Sequence, residues 1–535
     1  MAGFLTTGLS ALIGSRSALD TVGHNIANVN TPGYSRQRVN FVPHPAQSTP
    51  VGFIGSGVTA SSVERFFNQL IYENINDSTS LQSNLATLTN YSERVNNLLA
   101  DPSIGLAPSL QGFFDSLQDA ANDPSSIELR QVFLGQAEGL AERLALLENE
   151  IQSIGNEVRL GVESSVDEIN SLSSEIADLN AKIVVSQQGG RVAPNDLLDR
   201  RDLRIAELSE LIGIETVEDT DGAINVIALP GNSLVTGPQA NSLSLRADPL
   251  NPSQYIVQIT ALNSGTPVDV PVSGGRLSAL LDTQTDLLDG ISRDLGQTAL
   301  AIAVAINEQT AQGIDLNGNA GVDLFSIDIS PDISSVSNAG SASFTTSIDD
   351  LAALTGDEYR ISFDGANFAI RRSSDDSLVT PTGTGSVGDP LVFDGLSVVL
   401  SGTANAGDQF EIRPTRGVAG NMRVSLTDPA GLALASPVST SSSLNNLGDA
   451  SIGDERVIDA SDPNLLSGAS IVFLTPTTYS VDGAGSFAYT SGQPISLNGV
   501  EFTISGTPAA GDSFALSANT NANGDNRNAL LMVEL

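Results

Sequence analysis

The chain has 535 residues, no cysteine, and 62 acidic against 24 basic residues, for a formal net charge of -38. The length allows about three or four domains with more than one buried core, and the missing cysteines exclude disulfides, thiolate nucleophiles and cysteine metal sites. So acidic a surface, with Lys182 its only lysine, repels phosphate and anionic lipid and argues against nucleic-acid binding and membrane docking.

The opening stretch MAGFLTTGLSALIGS has no positive n-region and no continuous apolar core, and no run of about 20 apolar residues follows, so neither a cleaved signal peptide nor membrane insertion is expected. From Phe4 the residues read as a helix. On it Leu5, Leu9, Leu12, Leu19 and Ile26 fall on a four-three spacing, with Arg16 and Gly23 at the interrupted positions, which makes a narrow coiled-coil-like seam. The other face is Thr, Ser, Gly and Ala, so the pattern predicts a helical partner for the seam, in this chain or in a neighbouring copy; docking on the chain's own globular domain is the alternative. The helix signal stops inside GHNIANVNTPGYSRQRVNF, Gly23 to Phe41. Pro32 forbids continuation and Gly33 permits reversal. An ordinary cap explains those two but not the repeated asparagines. Asn28 and Asn30 can satisfy helix-end carbonyls or neighbouring backbone, and Tyr34 can cover apolar surface while its hydroxyl bonds outward.

Periodicity resumes from Val63, with Leu81, Leu85, Leu88, Val95 and Leu99 stepping by four and three until Asp101-Pro102 closes the helix. A second helix is predicted around Leu106 to Ala121, and Ser125 or Ser126 can cap a third. In the third, Leu140, Leu144, Leu147, Ile151, Ile154 and Val158 keep one register; after Gly161 the pattern restarts with Ile169, Leu172, Ile176, Leu179 and Ile183. This predicts a long antiparallel helical rod, broken once. After SQQGGRVAP comes a short helix, NDLLDRRDLRIAELSELIG, then hairpins from Glu215 to Val272 around the Asp219 to Gly222 turn, then helix again to near Gly313.

From about Ile333 to Asn519 short strands alternate with turns and contain an internal repeat. FDGLSVVLSGTANAGDQFEIRPT, from Phe393, aligns with LNGVEFTISGTPAAGDSFALSAN, from Leu497. Gly395, Gly402, Thr403, Gly407, Asp408 and Phe410 match Gly499, Gly506, Thr507, Gly511, Asp512 and Phe514. The closing GDNRNALLMVEL begins a helix as the sequence ends. The fold class is multidomain α+β: an N-terminal helix and amide-rich turn segment at 1–62, a helical rod domain at 63–330 with β-hairpins at about 215–272, a β-rich outer domain at 331–520, and the start of a returning helix at 521–535.

Chemistry is scarce. His24 and His44 have no spaced partner of the kind zinc sites use. GTGSVG, Gly383 to Gly388, meets the dinucleotide glycine pattern, but Pro390 and a strand follow where the motif needs a helix N-terminus. The sole lysine, in NAKIV, excludes a Walker A loop, and no Gly-x-Ser-x-Gly elbow occurs. DLNGNAGVD, Asp315 to Asp323, presents Asp315, Asn317 and Asn319 at alternating positions, yet Ala320 and Ser326 stand where a calcium loop needs Gly and Glu. Weak calcium binding there is the one ligand reading left. No catalytic, metal or cofactor-binding residue is assigned, and no enzyme is predicted.

NIANVNTPGYSRQ closely resembles the N-terminal signature of the bacterial flagellar rod, hook and hook-associated axial proteins, a specific motif of a dozen residues. PNDLLDRRDLRIAELSEL, GGRLSALLD, AQGIDLNGNAGVDLF and GDNRNAL resemble, in order, segments of the hook-associated branch that sits at the hook-filament junction. The resemblance spans residue 1 to about 330 and the last dozen residues; the β-region between fits the family's variable outer domain less specifically. It implies a structural part, a ring of about eleven copies between hook and flagellin filament. The ring would be extracellular, its subunits exported unfolded through the flagellum's type III channel without a cleaved signal peptide, and needed for filament assembly. Implied partners are further copies of the chain, the hook protein, a second junction protein (hook-associated protein 3) and an export chaperone bound to the C-terminal region. The implied assembly motif is Asn25, Ile26, Asn28, Asn30, Thr31, Pro32, Gly33 and Tyr34, which would turn the inner helix toward the rod and touch adjacent subunits. In the family the C-terminus continues into a helix that pairs with the N-terminal one; this sequence stops at Leu535, which implies either a fragment, the favoured reading, or a chain that cannot assemble normally, with the Leu5 to Ile26 seam mobile and lacking its intrachain partner. Three other readings stand beside this one. The hook protein itself is disfavoured by the Leu140 to Ile183 rod and NDLLDRRD, a secreted calcium-dependent β-rich adhesin is suggested by the Gly/Asp-rich repeat, and a secreted glycan-binding hydrolase lacks a recognisable nucleophile or histidine dyad.

Overall fold

A computed structural model describes residues 2–49, 52–101, 105–187, 194–228, 231–262, 265–329, 332–520 and 522–535. Pro102 and the linker residues 188–193 lie outside them. The chain divides into two compact units, Met1–Arg94 with Ser153–Leu288, and Val95–Gln152 with Asp289–Leu535, so that both draw on the 63–330 segment.

Helix α1 (Ala2–Ala27) is followed by a strand pair that alternation alone did not signal. β1 (Gln37–Pro43) runs antiparallel to β4 (Val58–Arg65), from Gln37↔Arg65 to Pro43↔Val58 with a bulge at Asn40/Phe41, and β2 (Gln47–Thr49) and β3 (Gly52–Ile54) form a small hairpin between them. Of β1 only Val39 is buried, which is why the pattern was weak. The segment 1–62 is thus helix, turn and hairpin rather than helix and turn alone. α2 (Gln69–Ala100) uses its expected apolar row only in part. Val95 is buried, but Leu81 and Leu85 are exposed while Asn76 and Ser80 turn inward, and the Asn84 amide donates to the Gly275 carbonyl at 3.2 Å.

α3 (Leu106–Asn122) precedes α4 (Ile127–Gln187), whose N-terminus is capped by Ser126: its hydroxyl accepts from the Leu129 N–H at 3.2 Å. α4 is one unbroken helix of 61 residues, so the break predicted at Gly161 does not occur. Val162 and Val166, both buried, carry the row from Val158 to Ile169 by two successive steps of four, a stutter that shifts the register without interrupting the helix. Gly161 serves another purpose: a Cβ there would stand 3.2 Å from Leu280 Cδ1, so the missing side chain lets a neighbouring helix approach. That neighbour is α5 (Asn195–Leu211)'s successor, α6 (Gly275–Asp282), which continues into a π-helical turn at Thr283–Leu288. Gly155 faces Gln284 and Leu288, Gly161 faces Leu280, and Arg276 reaches Ser165 and Glu168, so the two run antiparallel, as the sequence predicts.

The predicted hairpins form two sheets in the first unit. β5 (Ile214–Glu218), β6 (Ile224–Ala228), β7 (Asn232–Thr236) and β8 (Gln239–Ala240) pair in that order; β9 (Ser242–Ala247), β10 (Tyr255–Thr260) and β11 (Pro267–Asp269) form a second meander. Side-chain amides on α4 fix both. Asn180, fully buried, donates to the Ile224 and Gly237 carbonyls at 2.7 and 2.8 Å and accepts from the Ile224 N–H at 3.1 Å. Asn170 pairs in the same way with Leu243, at 2.9 and 2.8 Å.

In the second unit α7 (Asp289–Ala311) leads to β12 (Phe325–Ser326), whose Phe325 joins Phe113 and Phe133 in an aromatic cluster. Next come β13 (Ile333–Ser334), β14 (Ser343–Ile348), β15 (Tyr359–Phe363), β16 (Phe368–Arg372), β17 (Leu378–Val379), β18 (Leu391–Phe393), β19 (Leu396–Ser401) and β20 (Gln409–Ile412). They make one module of two sheets, ordered β13-β20-β15-β16-β17 and β14-β19-β18. After α8 (Val418–Asn421) and β21 (Arg423–Val424), which pairs with β12, the same plan recurs. β22 (Val438–Ser442), β23 (Ser451–Val457), β24 (Ala469–Thr475), β25 (Thr478–Val481), β26 (Ala484–Ala488), β27 (Pro494–Leu497), β28 (Val500–Ser505) and β29 (Ser513–Ala518) are ordered β22-β29-β24-β25-β26 and β23-β28-β27. The repeat seen over about 23 residues therefore marks a duplicated eight-strand module.

The matched residues hold equivalent places in the two copies. Asp408 accepts from the N–H groups of Ala339, Gly340 and Asn405, and Asp512 from those of Leu447, Gly448 and Ala509. The backbone N–H of Asn405 in one copy and Ala509 in the other does most to hold these carboxyls below the usual range. Each module has its own core, with Phe344 against Phe410 at 4.9 Å in the first and Phe473 against Tyr489 at 4.9 Å in the second. α9 (Arg527–Val533), the expected closing helix, is tied in by Asn528, which donates to the Ala433 and Gln309 carbonyls at 2.7 and 3.0 Å.

Two outcomes test this account. Asn180→Ala strips the partner from one N–H and two carbonyls in a dry site and is expected to cost about 2 to 4 kcal/mol in chemical denaturation; an unchanged midpoint would sink the assignment. Asp332 accepts from the Thr346 hydroxyl, and burial pushes its carboxyl up to about 6. A carboxyl raised in the folded state favours folding at low pH and loses that contribution as pH rises through about 6. Asp332→Asn should therefore raise the melting temperature by a few degrees near pH about 8 and leave it almost unchanged near pH about 4; calorimetry showing the reverse order would refute it.

Candidate functional site

The predicted seam and the amide-rich turn lie on opposite terms with the rest of the first unit. Leu5, Leu9, Leu12, Leu19 and Ile26 are between 59% and 71% exposed. The face of α1 that packs is the one made of small residues: Thr7, Ser10, Gly14, Ala18, Thr21 and Asn25, at steps of three and four, are buried or half-buried against β1 and β4. Gly14 lets the helix come close to the hairpin, since a Cβ there would lie 3.0 Å from the Phe41 ring and 3.7 Å from Val58. Ser10 donates to the Thr7 carbonyl at 2.8 Å and accepts from the Val58 N–H at 3.4 Å. The small residues thus form a docking face for the hairpin.

At the end of α1 the chain descends a staircase of turns. The Asn28 N–H donates to His24, the Thr31 N–H to Asn28, and the Tyr34 N–H to Thr31, at 3.1, 2.9 and 3.2 Å. Asn28 caps as expected, its Nδ2 donating to the His24 carbonyl at 3.0 Å while its Oδ1 accepts from the Thr31 hydroxyl at 3.2 Å. Asn30 and Pro32 are exposed, and Asn30 makes none of these bonds. Gly33 has φ of 75°, and a Cβ on it would stand 2.9 Å from Leu203 Cβ on α5, so both conformation and space call for glycine.

Asn25 is the centre of the site. Its Oδ1 accepts from the Gln37 N–H and the Tyr34 hydroxyl, each at 2.8 Å, and its Nδ2 donates to the Gln37 carbonyl at 2.9 Å. One carboxamide therefore joins the helix end to the first residue of β1. Tyr34, expected to bond outward, bonds inward to this amide, with its ring edge-on to His24 at 5.4 Å. Burial, then the charges of Asp199 and Asp196, push its hydroxyl above the usual range.

The turn is anchored on α5. The Ser35 N–H donates to Asp199 Oδ2 at 3.1 Å, Arg65 at the end of β4 donates to Asp199 and Asp202 at 3.1 and 2.5 Å, and Asn195 donates to the Val63 carbonyl at 2.9 Å. Tyr72 donates to the Asp202 carbonyl. Burial raises the Asp202 carboxyl against the pull of Arg65 and Arg201. Sequence reasoning singled out NDLLDRRD only as a family segment; the three-residue spacing of Asp199 and Asp202, which sets both on one helix face, was the readable signal for an arginine between them.

The Asp315 carboxylate, buried but held below its usual range, accepts the N–H groups of Asn317 and Asn319 at 2.8 Å each and their side-chain amides at 3.4 and 3.1 Å, so the calcium-like loop is closed by its own hydrogen bonds. Among the described residues no group of three or more His, Cys, Asp or Glu could hold a metal ion. Gly383 and Gly385 take positive φ in turns leading to strand β18, where a pyrophosphate site needs a helix N-terminus.

Three family models match the chain: the flagellar hook-associated protein FlgK helical domain over residues 92–325, the D2-like domain of flagellar hook-associated protein 1 over 333–414, and the flagella basal body rod protein over 5–34. Flagellar hook-associated protein 1 of Salmonella typhimurium is 31% identical over 474 residues, 88% of this chain and 85% of the relative. That of Escherichia coli is 30% identical over 456 residues, 84% and 82% of the two chains. The solved structure of the flagellar hook junction protein FlgK from Burkholderia pseudomallei is similar with a TM-score of 0.75 at 28% identity, covering 86% of this chain and 90% of that one.

Asn25→Ala removes the partner of a backbone N–H, a carbonyl and a tyrosine hydroxyl and is expected to cost about 1 to 3 kcal/mol, whereas Asn30→Ala should stay within about 0.5 kcal/mol. Urea unfolding of the two variants side by side checks this, and equal costs would refute the central place given to Asn25.

Proposed function

The chain belongs to the flagellar hook-associated protein 1 family, and from that membership we propose that it forms the junction ring between hook and filament on which flagellin assembles. The observation that carries this reading is the similarity over nearly the whole chain to a hook junction protein. Among the described residues no helix is long and apolar enough to cross a membrane. The subunit would be exported without a cleaved signal peptide and act outside the cell as part of the flagellar axis.

The N-terminal segment supplies the assembly surface in this proposal. A row of five aliphatic side chains open to solvent is costly for a lone subunit and suits a helix waiting for a neighbour. The motif from Asn25 to Tyr34 would aim that helix, because the Asn25 and Gly33 contacts leave the turn little freedom to point it elsewhere. The partners are further copies of the chain in a closed ring, the hook protein on one side, hook-associated protein 3 on the other, and an export chaperone before assembly.

Deleting the gene tests the reading. Electron microscopy is expected to show bare hooks, with flagellin accumulating in the culture medium because export continues while polymerisation fails. Filaments of normal number and length would overturn it.

A further inference from the structure

The residues up to Arg65 hold four arginines, Arg16, Arg36, Arg38 and Arg65, against two acids, Asp20 and Glu64, which leaves 20 of the 24 basic and 60 of the 62 acidic residues to the remainder of the chain. Arg16 pairs with Asp20, and Arg65 with Asp199 and Asp202. Arg36 and Arg38 are exposed and pair with no carboxylate among the described residues. Instead both guanidiniums lie on one aromatic ring, that of Phe66, at 4.1 and 5.1 Å from its centroid. Phe66 is 49% exposed and held in place by its N–H, which donates to the Arg36 carbonyl at 2.7 Å. Arg38 also donates from Nε to Asn40 Oδ1 at 3.2 Å. A guanidinium stacked on a ring spends its flat face and keeps in-plane N–H groups for a carboxylate.

We propose that the Arg36, Phe66 and Arg38 stack is an inter-subunit contact that receives a carboxylate-bearing surface of a second copy of this chain. Charge decides the occupant: two copies of a chain at -38 repel each other except where this locally cationic segment meets acidic surface. The cationic patch and its acidic counterpart are different parts of the subunit, so the same contact can repeat from copy to copy around the ring of the assembly reading. The inference rests on the assembly reading above and names one of its contacts.

Carbodiimide coupling of an amine to a carboxylate tests it, helped by the single lysine of the chain. The Arg38→Lys, Lys182→Arg variant of this chain at low salt is expected to give an adduct of twice 55.3 kDa, joined through position 38 to an Asp or Glu of a second copy and lost at high salt. No adduct through position 38, or an adduct that salt leaves untouched, overturns the contact; so does coupling in isolated flagella that joins position 38 only to another protein. The Arg36→Glu, Arg38→Glu variant, with its melting temperature checked against the parent, is expected to leave cells lacking the gene without filaments. If the parent gene restores filaments and this variant does so equally, the contact falls and the junction role stands. If the parent gene changes nothing, the junction role falls, and the coupling result still reads the contact by itself.

Discussion

A side-chain carboxamide that pairs with both the N–H and the carbonyl of one backbone residue is the interaction on which the rest of this structure depends. It occurs between Asn25 and Gln37, Asn170 and Leu243, Asn180 and Ile224, and Asn307 and Phe325, each time from a helix to a strand or its first residue. It recurs in the loops of the two modules, between Asn338 and Gln409 and between Asn446 and Ser513. A helix cannot offer its own backbone to a strand, because its N–H and C=O groups are already paired along the axis. Asparagine restores a peptide-like donor and acceptor on the helix surface at a reach that fixes the strand's register. In a chain with so many like charges an uncharged pair does this without adding repulsion.

Around these fixed points the apolar packing is simple. One face of α4 carries an unbroken apolar row, Leu140 to Ile151 within the second unit and Ile154 to Ile183 within the first, and glycine at 155 and 161 sets how close the neighbouring helix lies. The duplicated module shows the same economy in β-structure. Its two copies share few strand residues but equivalent turn residues: Asp394 and Asn498 both take positive φ ahead of a glycine, and Gly340 and Gly448 leave room for the Asp408 and Asp512 carboxylates, which a Cβ would approach within 2.4 and 2.6 Å. Turns need particular residues because few backbones reverse there, whereas strands tolerate any alternation that fills the core.

The N-terminal segment inverts the usual use of its residues. Its small, polar face is spent on intramolecular docking and its leucines are left open. The stabilisation of α1 comes from close approach at Gly14 and from the Asn25 clasp rather than from burying large side chains, so the apolar seam is left exposed.

Most of the architecture was legible in the residues. Helix positions, the rod, the hairpins, the repeat and the family signature follow from periodicities and turn residues that act over a few neighbours, and the breaker at Pro32 and Gly33 acts locally as well. Other features were decided only by what came together in three dimensions. Gly161 looks like a helix break until Leu280 is seen beside it, and the β1 and β4 pairing is hidden because one buried residue leaves no alternation to read. Which asparagine matters in NIANVN depended on where Gln37 returned. Why Asp199 and Asp202 face the N-terminal segment depended on Arg65, 134 and 137 residues away along the chain. Local patterns determine the elements; the choice of face and partner is a free-energy difference between long-range contacts, which no short window of sequence contains.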